Sequence, residues 1–142
     1  MTRPAPLEAW HRIAETRDAA GLDDLLADDV VFRSPAVHTP QEGRAITTAY
    51  LTAAMHVLGP QLRYLDEWHT GNDEGPDDGS GSAVLEFESI IGDKTVHGID
   101  MLRWGADGRL TSFTVMARPF KGLEALIGAM AAELMKGLEA EQ

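Results

Sequence analysis

Cysteine is absent from the 142-residue chain, which excludes a disulfide framework, a thiolate metal site and a cysteine nucleophile. Positive charge is scarce: 12 Lys and Arg stand against 23 Asp and Glu, a net charge of −11. That sign is wrong for a nucleic-acid or anionic-membrane surface, so neither partner is expected. No apolar run approaches the length that spans a bilayer. The opening Met1-Thr2-Arg3-Pro4-Ala5-Pro6 lacks the apolar stretch of a signal peptide, and the expectation is a cytoplasmic protein. His11, His38, His56, His69 and His97 show no paired ligand spacing. There is no Gly-x-Ser-x-Gly elbow and no glycine-rich turn leading from a strand into a helix. No metal and no cofactor is expected.

What remains is an ordinary globular composition, 44% hydrophobic and 25% charged, long enough for one domain with a real core over residues 1–142. Leu7, Trp10, Ile13 and Ala14 recur at helical spacing until Gly21. A short helix carries Leu22, Leu25 and Leu26 and stops at Asp28-Asp29. Val30 to Ser34 reads as a strand ended by Pro35, and Ala36 to Glu42 as a loop. A helix spans Arg44 to Leu58, terminated by Gly59-Pro60. The period then changes to two, predicting strands over Leu62 to His69, Ala83 to Ile91, Lys94 to Trp104 and Arg109 to Ala117. Asn72 to Ser82, with Asp73, Glu74, Asp77 and Asp78, reads as a solvated acidic loop. A last helix covers Leu123 to Leu138 with a continuous apolar stripe. Helices followed by antiparallel strands predict an α+β fold.

One residue breaks the pattern. Asp100 sits within Gly98-Ile99-Asp100-Met101-Leu102-Arg103-Trp104, an otherwise apolar strand. Asp disfavours strands, and an unpaired buried carboxylate tends to shift its pKa and neutralise, which makes it a candidate for useful chemistry. Alternation places Leu85, Phe87, Asp100, Leu102, Phe113 and Val115 on one face. The opposite choice buries Glu86, Glu88, Arg103 and Arg118 together, at greater cost. The other face mixes charge with Ile99, Met101 and Met116, as a dimer interface with a polar rim does.

Leu25-Leu26-Ala27-Asp28-Asp29-Val30-Val31-Phe32, Gly43-Arg44-Ala45-Ile46, and the hairpin from Ile99-Asp100-Met101-Leu102-Arg103-Trp104 through Asp107-Gly108-Arg109-Leu110 carry a resemblance. Taken in order, this set resembles the nuclear transport factor 2-like fold, specifically its SnoaL-like branch, from about Leu7 to Ala117. The resemblance implies a cone-shaped, strongly bent antiparallel sheet wrapped around N-terminal helices, here followed by a C-terminal helix. It also implies an apolar pocket at the open end and homodimers joined through the outer sheet face. Ketosteroid isomerases, polyketide cyclases, epoxide hydrolases and dehydratases share the fold with proteins that only bind or assemble, so fold does not settle function.

Asp100 resembles in position the carboxylic acid that ketosteroid isomerases keep protonated to donate to a substrate oxyanion, a standard example of a carboxyl raised by an apolar site. Where those isomerases place a base before a proline, this chain has Ser34. Where they place a tyrosine donor on the first helix, it has Ile13 and Ala14. The last strand carries no acid of the kind polyketide cyclases use. Arg103 falls on the wrong face for the Asp-Arg-Asp set of the epoxide hydrolases. The expected site is therefore Asp100 and His38 as acid-base groups. Ser34, Phe32, Tyr50, Trp68, Leu85, Phe87, Leu102, Phe113 and Val115 are expected as ligand contacts. Two readings follow. One is a small-molecule pocket protein for an apolar, oxygen-bearing ligand, working as a cofactor-independent isomerase, cyclase or dehydratase. The other is a catalytically silent dimeric binding or assembly module.

Overall fold

The computed structural model describes residues 3–70 and 79–140, the last three by backbone alone. Most of the acidic loop expected over 72–82, including its four acids, lies outside the described residues. Helix α1 (Ala5–Thr16) opens with Pro6 in its first turn, where the missing N–H costs nothing. It buries Leu7, Trp10 and Ile13 and ends at Arg17 in a left-handed conformation, φ 57°. Asp18 then accepts a hydrogen bond from the Ala20 N–H and starts a single 3-10 turn, Ala19–Gly21. That turn delivers α2 (Leu22–Leu25) onto α1, burying Leu22 and Leu25.

The chain passes directly from α2 into β1 (Leu26–Arg33). Asp28 and Asp29, expected to stop a helix, instead occupy an irregular stretch of this strand with both side chains exposed. A two-residue strand, β2 (Gln41–Glu42), lies within the segment expected as loop and pairs antiparallel with β1. Helix α3 (Arg44–Leu58) follows with the expected limits, and Gly59, at φ 52°, lets the chain turn into Pro60. Four strands complete the sheet: β3 (Arg63–His69), β4 (Gly81–Ile91), β5 (Lys94–Trp104) and β6 (Leu110–Arg118). Helix α4 (Phe120–Ala140) closes the chain.

Among the described residues the sheet has six strands in the order β2-β1-β6-β5-β4-β3. It is antiparallel except where β1 joins β6 in parallel. That parallel pairing has a topological cause, because β1 is separated from β6 by α3 and four strands rather than by a hairpin. The β4–β5 ladder runs unbroken from Gly81 opposite Trp104 to Ile91 opposite Lys94. Leu85, Phe87, Asp100, Leu102 and Phe113 are all buried on one face, the face on which the helices lie. Met116 and Ile90 are exposed on the other or at its margin. Among the described residues, no helix is long and apolar enough to cross a membrane.

Candidate functional site

A cavity of about 210 Å³ opens between the helix-covered face of the sheet, α1, α3, α4 and the segment 34–37. Its wall is apolar almost throughout, and Asp100 is the single carboxyl on it among the described residues. Asp100 is 7% exposed. Three features put it there. It pairs with Leu85 of β4 and Val115 of β6, two apolar neighbours that offer it no charge. Gly98, one pair along, has no side chain, and a Cβ there would stand 2.8 Å from the Phe87 ring. Phe87 therefore lies over Gly98, and Tyr64 of β3 stands edge-on to Phe87 with centroids 6.4 Å apart.

From that position Tyr64 donates its hydroxyl to Asp100 Oδ2 at 2.7 Å. The Trp10 indole Nε1 donates to the Tyr64 oxygen at 3.0 Å. Trp10 is itself fixed edge-on against Phe113, with centroids 4.9 Å apart. Burial raises the Asp100 carboxyl to about 7, and the Tyr64 hydrogen bond restrains the rise. Burial, and then the nearby carboxyl, push the Tyr64 hydroxyl well above its ordinary value. At neutral pH the carboxyl is thus divided between its neutral and ionised forms. When neutral it both donates and accepts.

The sequence agrees with one family throughout most of its length. The model of the SnoaL-like domain matches residues 7–113. The chain belongs to the SnoaL-like domain family. Its fold is shared by a crystal structure of a steroid delta-isomerase from Pseudomonas aeruginosa, 37% identical over 95% of this chain and 93% of that one, with a TM-score of 0.83. An uncharacterised protein with a cystatin-like fold from Silicibacter pomeroyi DSS-3 is 27% identical over 92% and 86% of the two chains, TM-score 0.79. An NTF2-like protein of unknown function from Burkholderia xenovorans LB400, 16% identical over 81% and 82%, has the same fold at a TM-score of 0.60. No curated protein sequence matches the chain.

Within this SnoaL-like domain the residues singled out from sequence divide into three groups. Phe32, Ser34, Tyr50, Asp100, Phe113 and Val115 meet on the cavity wall. Leu85, Phe87 and Leu102 are buried behind it, in the core rather than on its surface. Trp68 and His38 lie elsewhere. Trp68 is 56% exposed on the outer face, because the β3–β4 register shifts between Tyr64 and Asp66. One extra residue at Leu65 exchanges the faces of everything after it, so Glu67 turns inward and Trp68 outward. His38 is exposed and lines an adjoining groove with Arg33, Pro40 and Met116, which meets the cavity at Ser34, Pro35, Val37 and Val115. The Ser34 hydroxyl accepts from the Ala36 and Val37 N–H groups, each at 3.2 Å, and so holds the turn at the cavity edge.

Sequence reasoning missed Tyr64, the one side chain hydrogen-bonded to Asp100 among the described residues. The signal was available: Tyr64 shares the face of Leu62, which also lines the cavity. Also missed were Ile127, Met130 and Leu134 of α4, which form one wall and lie beyond the stretch that the family model matches. Among the described residues no three His, Asp or Glu side chains gather as metal ligands.

Proposed function

We propose that the protein binds an apolar, oxygen-bearing small molecule in this cavity and holds its oxygen against Asp100. The observation that carries the reading is a single carboxyl, raised toward neutrality by burial, on an otherwise uncharged wall. A neutral carboxylic acid in an apolar site polarises a carbonyl or protonates a leaving hydroxyl without metal or cofactor. The reactions this serves are isomerisation, cyclisation and dehydration. The likeness to a steroid delta-isomerase supports the first, but the position held by a base in such enzymes is Ser34 here, and its hydroxyl is engaged by the backbone. Asp100 therefore works as an acid and hydrogen-bond donor. We place the protein in the cytoplasm as a homodimer joined through the outer sheet face.

A second reading, a binding module without turnover, is favoured by the want of a second carboxyl or any histidine or lysine on the cavity wall among the described residues. Asp100→Asn separates the two. Asparagine still accepts from Tyr64 and still donates to a ligand, but it has no proton to transfer. Titration with a panel of apolar carbonyl compounds is expected to give binding by both forms, and turnover of one of them only by the native chain. Binding without turnover by either establishes the silent module. An absence of binding by either removes both readings.

A further inference from the structure

The hydrogen bonds from Trp10 to Tyr64 to Asp100 run one way. An indole N–H donates and cannot accept. Trp10 therefore occupies a lone pair of the Tyr64 oxygen, and the single phenolic hydrogen is directed to Asp100 Oδ2. With that oxygen accepting, a proton on the carboxyl resides on Oδ1. Oδ1 has no partner among the described residues, yet it is not among the sealed, unsatisfied atoms, and Asp100 lines the cavity. In the reverse arrangement Tyr64 accepts twice, and the structure gives its hydrogen no other acceptor among the described residues. A buried donor left unmatched in this way costs about 1–3 kcal/mol.

We infer that Trp10 and Tyr64 are positioning residues that keep the proton of Asp100 on the oxygen facing the cavity, so that the neutral site engages its ligand through a hydrogen-bond acceptor, a carbonyl or a developing oxyanion. This rests on the proposed ligand class and adds polarity to it. Once ionised, the same oxygen only accepts, and the site prefers donors. The groups facing Asp100 are few. Tyr64 and Tyr50 are the other titratable side chains on the wall. His11 stands edge-on to the Tyr64 ring, with centroids 5.2 Å apart, and bonds to Glu67 on its far side. Strands β4 and β6 present Leu85 and Val115, and α3 and α4 contribute no charged group to the wall.

A matched pair of rigid probes tests this: 2-adamantanone, which only accepts, and 2-adamantanol, which accepts and donates. Both are titrated calorimetrically into the full chain between about pH 5 and about pH 9. The ketone is expected to hold its affinity below about 7 and to lose roughly tenfold per pH unit above it. The alcohol declines far less. In Trp10→Phe the Tyr64 oxygen is free to accept the carboxyl proton, and the ketone's advantage at low pH shrinks roughly fivefold, one hydrogen bond's worth. Tyr64→Phe keeps the test should the smaller ring at position 10 cost the fold. It removes a bond that lowers the carboxyl, so the midpoint for ketone binding moves upward. If ketone and alcohol share one pH profile in the native chain, or both variants reproduce the native profiles, the relay is wrong and the pocket stands. If neither probe binds at any pH, the ligand class itself is wrong.

Discussion

Tyr64 and Asp100 are joined by a 2.7 Å hydrogen bond although a whole strand, β4, separates their strands in the sheet. Tyr64 stands edge-on to Phe87, which the missing side chain of Gly98 allows to lie close to the sheet. A carboxyl thus sits deep in an apolar layer with one neutral donor and no cation, and its ionisation is tied to the stability of the fold.

That tie has a definite sign. Asp100 titrates at about 7 in the folded chain and near 3.9 when unfolded, so the folded state holds its proton more tightly. The resulting stabilisation is complete below about 4, erodes as pH rises toward about 7, and is gone above it. The difference integrates to at most roughly 4 kcal/mol. Asp100→Asn abolishes the titration. Urea denaturation at acid and alkaline pH is expected to show the variant gaining on the native chain as pH rises through this window. Parallel curves would mean that Asp100 is solvated.

Glu67 behaves in the opposite sense. The bulge at Leu65 turns it inward, where burial tends to raise its carboxyl. The Arg3 hydrogen bonds and the charges of His11 and Arg3 more than offset this and lower it overall. Arg3 reaches it at 3.0 and 3.1 Å and His11 at 2.9 Å. A lowered carboxyl stabilises above its unfolded value and loses that contribution as pH falls through the folded one. Glu67→Gln is therefore expected to cost about 1 kcal/mol at neutral pH. The deficit closes in acid, measured by thermal unfolding across the acid range.

The bulge also marks the limit of what the sequence discloses. In β4 and β5 the ladder is unbroken over their whole length, so strict alternation sorted Leu85, Phe87, Asp100 and Leu102 to the inner face. In β3 one inserted residue reverses the alternation, and no residue type announces it: Leu65 is neither glycine nor proline. Without that insertion, alternation would carry Trp68 inward with Tyr64. Alternation with Leu62 gives the face of Tyr64, but its hydrogen bond to Asp100 reaches two strands across the sheet, a relation that alternation does not encode. The parallel approach of β1 to β6 is likewise a long-range pairing. The limits of α3 were legible because a glycine stands just outside each end.

Helix α4 provides a pair of opposed tests. A Cβ on Gly122 would stand 2.3 Å from the Thr95 carbonyl oxygen of β5, so Gly122→Ala must lift α4 from the sheet. Overpacking of this kind costs about 1–3 kcal/mol. It also moves Met130 and Leu134, which wall the cavity, so ligand affinity falls with stability. Gly128 has nothing within 4 Å of its missing Cβ, and Gly128→Ala is expected to stabilise by about 1 kcal/mol through helix propensity. Thermal unfolding checks both signs. Destabilisation by both would show that the helix is docked differently.

The outer face bears on assembly. Trp68 and Met116 are exposed there at 56% and 51%, and Met116 pairs with Ile99 across the ladder. The charges beside them are largely matched. His97 contacts Glu86 at 2.7 Å and Arg118 at 3.2 Å, and Arg63 pairs with Glu88. In a chain of net charge −11, the proposed dimer would meet with least repulsion at a face that is apolar and locally balanced. Met116→Asp places a charge in that patch, where desolvating it costs several kcal/mol. Sedimentation velocity is expected to show the dimer reduced to monomer, with affinity for 2-adamantanone unchanged, because the side chain projects away from the cavity. A native chain that sediments as a monomer removes this face as an interface. A variant that stays dimeric shifts the contact elsewhere.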